Sequence, residues 1–417
     1  MPRQVSRMSK LTELLDELCP DGVEYRPLGE VGEFLRGSSL QKKHLTSEGV
    51  PCIHYGQVYT RYGLSANETY SFLKPEFATG KRTMTTGDLF IATTSENEED
   101  LGKAVAWLGQ KEVVASNDAF IYRHNLDPMY VSYFFASSYF HDQKYRFITG
   151  TKVKRLSGDS MAKIIIPVPP LEVQQEIVRV LDAFTDLEQS LVSELELRKK
   201  QYGFHRDELL SFTANGGELC PDGVEYRPLG EVFDTRNGYT PSRSKPEFWV
   251  DEGIPWFRMD DIRTNGNVLD DSLEHISPEA VKGTVFPAGT VIVATSATIG
   301  EHALLKVPAL SNQRFTALIA KPEFVERLLP EFIHYYCFVL DEWCTRNTTQ
   351  SSFSSVDMPR FRKFMFPIPS IEVQQEIVAK LDTFDSLIES IEQEITLRRK
   401  QYEFYRDELL SFTPKED

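Results

Sequence analysis

Residues 172–213 read EVQQEIVRVLDAFTDLEQSLVSELELRKKQYGFHRDELLSFT, and residues 372–413 read EVQQEIVAKLDTFDSLIESIEQEITLRRKQYEFYRDELLSFT. Each copy follows a proline-containing segment, residues 167–170 or 367–369, and neither copy has an internal proline. A proline just before a periodic apolar stretch is typical of a helix start. The repeated stretch therefore predicts two long helices.

Apolar residues recur along both predicted helices in alternating steps of four and three. The first copy has Ile177, Leu181, Phe184, Leu191 and Leu195, with Glu188 at the one position of the pattern that is not apolar. The second copy has Ile377, Leu381, Phe384, Ile388, Ile391 and Ile395. This spacing is the heptad pattern of a coiled coil. A helix of about 38 residues is roughly 57 Å long, so its apolar stripe needs a partner. We expect the two copies to pair antiparallel about an approximate twofold axis.

Charged residues interrupt this seam. Glu188 does so in the first copy only, whereas an arginine occupies the same later position in both copies, as Arg198 in the first and Arg398 in the second. An antiparallel register centred near residues 193 and 393 places Glu188 opposite Arg398. We therefore predict an ion pair between these two side chains. The alternative is that both charges reach solvent at the flank of the seam.

A second repeat precedes each variable part of the chain. The sequence LCPDGVEYRPLGEV occurs at residues 18–31 and again at residues 219–232, whereas the regions 32–169 and 233–369 share little sequence. A fixed frame that carries two divergent modules indicates two different specificities on one scaffold. A recent duplication followed by simple drift is the alternative, but drift would not spare the frame so selectively.

The charge is distributed unevenly between the frame and the modules. The chain has a net charge of −16, of which the frame carries −15, while the first variable region has +2 and the second −3. Most of the acidity belongs to the solvated faces of the long helices. The near-neutral modules leave room for local basic patches, so the overall charge does not exclude binding to a polyanion.

Several classes of protein and site find no support in the sequence. There is no run of eighteen apolar residues and no apolar segment behind the N-terminus, so we expect a cytoplasmic protein. The five cysteines form no closely spaced pair, which favours reduced thiols over a disulfide or zinc site. Phosphate-loop, dinucleotide-binding and [DN]PP[YF] methyltransferase motifs are absent. We therefore predict no catalytic and no metal-binding residues.

The variable regions are expected to be mixed α/β modules, which gives an α+β fold class overall. Short apolar runs predict strands at residues 87–92, 113–121, 289–294 and 314–319, and amphipathic patterns predict helices at residues 129–140 and 329–340. Polar residues cluster where strands end, at 93–97 and 295–298, and similar polar loops are predicted at 116–118 and 311–314. Such side chains read base edges in the major groove, although they are also ordinary turn residues.

The order of module, long helix, module and long helix resembles the DNA specificity subunit of type I restriction–modification systems. Residues 19–23 and 28–29 are similar to the family's lead-in to each module, and PVPPLEVQQE at 167–176 and PIPSIEVQQE at 367–376 are similar to its helix starts. Residues 239–242, 248–249 and 254–256 resemble the opening of many of the family's recognition domains, and residues 289–300 and 311–313 resemble their middle. CIHYGQ at 52–57 resembles a second, divergent type of module.

This resemblance implies a domain plan. It comprises a lead-in repeat at 1–31, target recognition domain 1 at 32–169, a long helix at 170–213, a linker and lead-in repeat at 214–232, target recognition domain 2 at 233–369, and a long helix with a C-terminal tail at 370–417. Each recognition domain would read half of a bipartite site in double-stranded DNA, and the helices would set the unread gap.

The resemblance also implies partners. Two methylation subunits with S-adenosylmethionine would modify adenine, and two restriction subunits would add ATP- and Mg²⁺-dependent cleavage, with no cofactor on this chain. Two rival functions remain: an interaction scaffold or acidic DNA mimic that binds restriction–modification subunits, and an enzyme whose motif escapes recognition.

The candidate residues fall into two sets. The DNA-binding candidates are Lys42, Lys43, Tyr55, Gln57, Tyr59, Arg61, Ser95, Asn97, Lys152, Lys154, Arg155, Tyr239, Ser242, Arg243, Lys245, Arg258, Ser296, Thr298, Gln313, Arg314 and Ser352. The coiled-coil seam candidates are Leu181, Phe184, Glu188, Leu191, Leu195, Leu381, Phe384, Ile388, Ile391, Ile395 and Arg398.

Overall fold

The computed structural model describes residues 2–212, 220, 223–349 and 354–416. Contacts divide the chain into unit 1, residues 1–193 and 393–417, and unit 2, residues 194–392. Each unit contains one variable region and parts of both long helices. The predicted class, two mixed α/β domains with a pair of long helices, is confirmed.

The long helices span Leu171–Leu210 and Ile371–Leu409. Within unit 1, the ring of Phe184 stacks on that of Tyr405 with centroids 5.3 Å apart, and Glu188 contacts Arg399. Residue numbers rise along one helix as they fall along the other, so the helices run antiparallel there. In unit 2, Lys199 contacts Glu392 and the ring of Tyr202 lies 6.3 Å from that of Phe384, so the helices run antiparallel there as well.

The predicted seam is the less exposed stripe of both helices. Its buried members are Leu181, Phe184, Leu381, Ile391 and Ile395, and its partly buried members are Glu188, Leu191, Leu195, Phe384, Ile388 and Arg398. By contrast, Leu197 and Leu397 lie off the seam and are 65% and 60% exposed. The heptad spacing therefore identified the packed face of each helix correctly.

The predicted ion pair between Glu188 and Arg398 is wrong by one residue. Glu188 Oε1 accepts a hydrogen bond of 2.6 Å from Nε of Arg399, whereas the Arg398 guanidinium donates to Glu394 and Gln401 of its own helix at 2.7 and 2.8 Å. A charge centred on the seam would lose most of its hydration. Arg399 is on the flank, where its side chain stays 59% exposed and reaches across to the partner helix.

Unit 1 contains two five-stranded sheets. Along the first sheet the strand order is Gly32–Arg36, Ala119–His124, Leu89–Ala92, Ala104–Trp107 and Ser65–Ala66. Along the second it is Leu45–Thr46, Ser71–Leu73, Val50–Ile53, Val113–Ala115 and Thr83–Met84. Neighbours in the first sheet are antiparallel except for the last pair, which is parallel.

Unit 2 repeats this arrangement with different residues. Its five-stranded sheet has the order Phe233–Asn237, Phe315–Ala320, Val291–Ala294, His302–Leu305 and Val268–Leu269, with the same strand directions as the first sheet of unit 1. A second sheet has the order Trp249–Val250, His275–Ile276, Ile254–Phe257 and Leu310–Ser311. The first sheets therefore share a topology that the sequences conceal, whereas the second sheet has five strands in unit 1 and four in unit 2.

The lead-in repeats fix the start of each long helix. Glu24–Pro27 pairs antiparallel with Ile165–Val168, and Glu225–Pro228 pairs in the same way with Met365–Ile368. The shorter helices of unit 1 are Pro2–Leu18, Leu28–Val31, Tyr55–Val58, Pro75–Ala78, Pro128–Ala136, Ser138–Lys144 and Gly158–Met161. Those of unit 2 are Leu229–Val232, Met259–Asn265, Pro330–Arg346 and Met358–Phe361.

Two predicted elements are interrupted in the structure. The strand expected at 113–121 divides into Val113–Ala115 and Ala119–His124, because Asp118 adopts a left-handed backbone with φ of 59°. The helix expected at 129–140 divides at Ser137, whose hydroxyl accepts a hydrogen bond from the amide of Phe140 and caps the second helix. Both breaks depend on polar residues that a pattern of apolar residues does not register.

Candidate nucleic-acid interface

Five short segments of unit 1, made of loops with one turn of helix and a short strand pair, meet beside one another, and we call them the first loop cluster: residues 38–40, 54–59, 93–97, 116–118 and 154–155. The backbone amide of Asn117 donates to the carbonyl of Ser38 at 2.6 Å, and the amide of Tyr55 donates to the hydroxyl of Ser116 at 2.8 Å. The hydroxyl of Tyr59 donates to the carbonyl of Thr94 at 3.0 Å, and the strand Thr94–Ser95 pairs with Lys154–Arg155.

Five loops of unit 2 meet in the corresponding way and form the second loop cluster: residues 238–240, 257–258, 295–297, 311–314 and 354–356. They are joined by backbone hydrogen bonds from Tyr239 to Ser311, from Asn312 to Phe257 and from Thr295 to Arg314, and by a bridge between Ser296 and Ser355. The sheets of each unit thus bring the same set of loops together.

Each cluster contains one residue with a strained backbone. Among the described residues, the non-glycine residues with positive φ are Asp118, at 59°, and Ala297, at 67°. Asp118 belongs to the first loop cluster and Ala297 to the second. Residues other than glycine seldom adopt this conformation, and such strain concentrates at functional sites. The strain therefore marks both clusters as candidate sites.

The structure brings most DNA-binding candidates of unit 1 together. Tyr55, Gln57, Tyr59, Ser95, Asn97, Lys154 and Arg155 lie in the first loop cluster, whereas Lys42, Lys43, Arg61 and Lys152 lie in the chain segments next to it. Of these, Lys42, Lys43, Arg61, Asn97, Lys152 and Arg155 are exposed. Their contacts with DNA stay predictions.

Two polar candidates of unit 1 use their side chains inside the protein. The Gln57 amide oxygen accepts from the backbone amide of His54 at 3.1 Å, and its amide nitrogen donates to Ser71 at 2.7 Å. The Asn97 amide oxygen accepts from the backbone amide of Glu99 at 2.6 Å. Burial, and then the charge of Lys42, lower the pKa of His54. Gln57 and Asn97 thus help to shape the loops.

A buried lysine that sequence reasoning missed holds one loop of the first cluster. Lys144 is fully buried, and its ammonium group donates to the carbonyls of Glu99 and Leu101 at 2.8 and 2.7 Å. Burial lowers the pKa of Lys144 to about 8, and the carboxylate of Asp100 opposes this shift. No sequence pattern indicates that the amine of a lysine will bind two backbone carbonyls of a distant segment. The two hydrogen bonds from Lys144 hold the acidic segment 96–100 in place.

The candidates of unit 2 are distributed in the same way. Tyr239, Arg258, Ser296, Gln313 and Arg314 lie in the second loop cluster, and Ser242, Arg243, Lys245 and Thr298 lie in the segments next to it. The predicted contact at Ser352 falls outside the described residues. Gln313 accepts from Thr240 Oγ1 at 2.6 Å, Arg243 forms an ion pair with Glu274, and Lys245 lies over the ring of Phe248.

Four residues near the clusters were not among the candidates. Lys81 Nζ donates to the carbonyl of Ser39 at 2.8 Å, and the Arg82 guanidinium donates to the carbonyl of Arg36 at 2.9 Å. In unit 2, Glu274 and Trp249 contact Arg243. Of these, only Lys81 and Arg82 had a usable sequence signal, a basic pair following a glycine.

The described residues contain no group of three or more His, Cys, Asp and Glu side chains suited to hold a metal ion. All five cysteines are free. Among the described residues no helix combines the length and the apolar character needed to cross a membrane.

Comparison with known sequences decides the family. The family model described as "Type I restriction modification DNA specificity domain" matches residues 20–197 and matches again at residues 221–397. The chain belongs to the type I restriction–modification DNA specificity family. As a member of this family, the chain provides DNA sequence specificity in a restriction–modification system. The two matches contain the first and second loop clusters respectively.

Individual members of the specificity family support this assignment. The chain is 33% identical over 434 residues to the EcoR124I/EcoR124II specificity subunit of Escherichia coli, and the match covers 99% of both chains. It is 53% identical over 214 residues to the EcoprrI specificity subunit of Escherichia coli, over 48% of this chain and 53% of that relative. The chain thus spans about half the length of the second relative and nearly all of the first.

Two solved structures have the same fold. A chain from a study of complex assembly and conformational transition in a type I R-M system matches with a TM-score of 0.63 at 19% identity, over 94% of this chain and 98% of that one. The HsdS subunit from Thermoanaerobacter tengcongensis matches with a TM-score of 0.53 at 19% identity, over 94% and 97%.

Proposed function

We propose that this specificity subunit recognises a split site in double-stranded DNA, with each unit reading one half through its own loop cluster. The main support is that five corresponding segments are assembled twice from different side chains, beside five-stranded sheets of the same topology. Loops carried on a rigid scaffold are the usual place for recognition residues. Two unlike clusters on equal scaffolds fit two unlike half-sites.

The charge distribution agrees with contact to DNA at the clusters. Exposed basic side chains lie in or next to both, including Lys42 and Lys43 in unit 1 and Arg314 in unit 2. Phosphate contacts by such side chains give an affinity that falls steeply with salt. The net charge of the frame, −15, lies outside the variable regions. The clusters would supply base contacts, and the nearby lysines and arginines would hold the backbone.

We also propose that two methylation subunits dock on the long helices, one on each unit. Leu197 and Phe204 are 65% and 66% exposed in unit 2, and Leu397 and Phe404, at the repeated positions, are each 60% exposed in unit 1. Large apolar side chains left exposed on a helix face are typical of an interaction surface. Because the pair occurs once in each unit, it favours two copies of one partner.

No catalytic step is assigned to this chain. Methylation of adenine with S-adenosylmethionine would belong to the methylation subunits. Cleavage driven by ATP with Mg²⁺ would belong to two restriction subunits.

Binding of duplex DNA by the chain assembled with methylation subunits tests the first proposal. We expect specific binding whose affinity falls by about 10³–10⁵ between 50 and 200 mM salt if six to ten phosphates are contacted. Affinity for the methylation subunits without any affinity for DNA would support the rival scaffold or DNA mimic instead.

Substitutions on the helix faces test the docking proposal. The double change Leu197→Ser and Phe204→Ser should leave one methylation subunit per chain in native mass spectrometry, and the same change at residues 397 and 404 should remove the other. Val325→Ser, at a residue 60% exposed and outside the long helices, is the matched control and should leave two. Two subunits retained after both double changes would contradict the proposal.

A further inference from the structure

A chain of ion pairs in unit 2 joins two arginines through one glutamate. Arg243 donates from Nη1 to Glu274 Oε1 at 2.6 Å and from Nη2 to Glu274 Oε2 at 2.9 Å. Arg258 Nη1 lies 2.9 Å from Glu274 Oε2, and Arg258 Nε lies 3.1 Å from Asp260. Glu274 is therefore held from both sides and fixes the plane of the Arg243 guanidinium.

Two tryptophans complete the support of Arg243. The guanidinium carbon lies 3.5 Å from the ring centroid of Trp249 and 5.2 Å from that of Trp256. The indole of Trp249 donates to the carbonyl of Ser242 at 3.2 Å, so the ring is tied to the segment that carries Arg243. Stacking on an aromatic face together with a bidentate carboxylate leaves the guanidinium little rotational freedom.

This arrangement is continuous with the second loop cluster. The Trp256 indole donates to the carbonyl of Tyr239 at 2.9 Å, and the amide of Tyr239 donates to the carbonyl of Ser311. Arg258 itself belongs to the cluster, next to Phe257, whose carbonyl accepts from Asn312. Arg243 is 48% exposed on the side chain, so part of its guanidinium remains accessible beside the cluster.

The charges around Arg243 distinguish the two uses that an arginine has on DNA. Glu274 and Asp260 lie in the same group of contacts, and the hydrogen bond from Arg243 holds the pKa of Glu274 below its usual value. An arginine neutralised by an ionised carboxylate gains little attraction to a phosphate, and the carboxylate itself repels phosphates. Orientation is what the glutamate adds, and base reading depends on orientation.

The free donors of Arg243 fit a base edge. A guanidinium has five N–H groups, and two of them are used on Glu274. The others can form the bidentate pair with O6 and N7 of guanine, the commonest specific contact of arginine in the major groove.

We propose that Arg243 reads a guanine in the half-site of unit 2 and that Glu274 and Trp249 are positioning residues that fix its guanidinium. This inference rests on the proposed function. In unit 1, Lys154 pairs with Glu98, but neither arginine candidate, Arg61 or Arg155, has a carboxylate partner among the contacts of the described residues. The first half-site therefore serves as an internal reference.

Base preference in a randomised duplex tests the proposal. The full chain, assembled with its methylation subunits, methylates the library, and sequencing of the methylated molecules gives the preference at each position. Arg243→Lys, which keeps the charge but loses the planar fork, should reduce the preference for guanine at one position of the second half-site by about 5- to 150-fold. Glu274→Gln should weaken the same position to a smaller extent.

A matched control is available in the same unit. Glu225 joins Arg227 and Arg327, at 2.7 and 2.5 Å, at the lead-in strand and outside the second loop cluster. Glu225→Gln removes an equivalent ion pair and should leave both half-sites unchanged. The first half-site should be unchanged in every variant, which also verifies that each variant is folded.

Two outcomes would overturn the inference. One is an unchanged preference for guanine in both Arg243→Lys and Glu274→Gln. Another is a result for Arg243→Ala in which the slope of the logarithm of the affinity against the logarithm of the salt concentration decreases in magnitude by about one while the base preference is retained. This result would identify a phosphate contact. If the wild-type complex selects a split motif, only the inference fails in these cases; if it selects none, the proposed function fails as well.

Discussion

Lengthening both long helices by one heptad should lengthen the gap between the two half-sites. Duplicating residues 191–197 in the first helix and 391–397 in the second inserts one heptad of the seam into each helix. The duplicated segments include the unit boundaries at 193/194 and 392/393. Seven residues add about 10.5 Å of helix at 1.5 Å per residue. At about 3.4 Å per base pair, this length corresponds to about three base pairs.

The assay compares methylation of duplexes that carry both half-sites at gaps from three base pairs shorter to five longer than the wild-type gap. The optimum should move by about three base pairs, and deletion of the same heptads should move it the other way. Three base pairs also rotate one half-site by roughly 100° about the DNA axis, so the affinity at the new optimum should be lower than that of the wild type.

Duplication in only one helix is the control. It should weaken assembly without defining a new gap, because the pair Glu188 and Arg399 in unit 1 and the pair Lys199 and Glu392 in unit 2 can no longer be kept in one register. An unchanged optimum in the doubly lengthened protein, with normal assembly, would refute the idea that the helices set the gap.

Three further predictions concern stability. Leu181→Ala, at a fully buried seam position, should cost about 2–5 kcal/mol in urea unfolding, whereas Leu197→Ala, at 65% exposure, should change stability by less than about 0.5 kcal/mol; equal effects would contradict the seam. Lys144 has a pKa near 8 in the folded protein and 10.5 as its ordinary value, so the unfolded chain binds more protons between these values. The free energy of unfolding of the wild type, relative to that of Lys144→Met, should therefore rise from pH 8 to 10.5. If the difference between the two free energies does not change with pH, the result would argue against this burial. A double-mutant cycle on Glu188 and Arg399 should give a coupling of roughly 0.2–1 kcal/mol that decreases with salt.

The part of the fold that the sequence determines locally could be predicted. The heptad spacing identified both helices and their packed faces, because side chains three and four residues apart share a face whatever the tertiary structure. The identical lead-in and helix segments also indicated two copies of one arrangement. In the structure the corresponding strands, Glu24–Pro27 and Glu225–Pro228, do make equivalent pairs with Ile165–Val168 and Met365–Ile368.

Features that depend on distant contacts could not be predicted. The helix Pro2–Leu18 contributes the buried Leu11 to the core of unit 1, but its sequence is mostly polar, so its place in that core depends on contacts with distant residues. Lys144 is buried because two loop carbonyls from residues 99 and 101 need a donor, which is a tertiary requirement. A lysine in sequence is otherwise expected at the surface.

The candidate site shows the same division between residue type and partner. The sequence marked polar residues at strand ends, but not that these segments meet, because the meeting depends on the order of strands in the sheets. Which of these residues are free could not be read from residue type, and Gln57 and Gln313 use their amides within the protein. Glu274 was overlooked because it meets Arg243 across 31 residues of sequence.

The split-site claim is tested most directly by mapping every methylated adenine in DNA modified by the complex reconstituted from this chain and its methylation subunits. Our account predicts two short constant sequences, different from each other, separated by a gap of fixed length and free composition. A single uninterrupted motif, or methylation without any sequence preference, would contradict it.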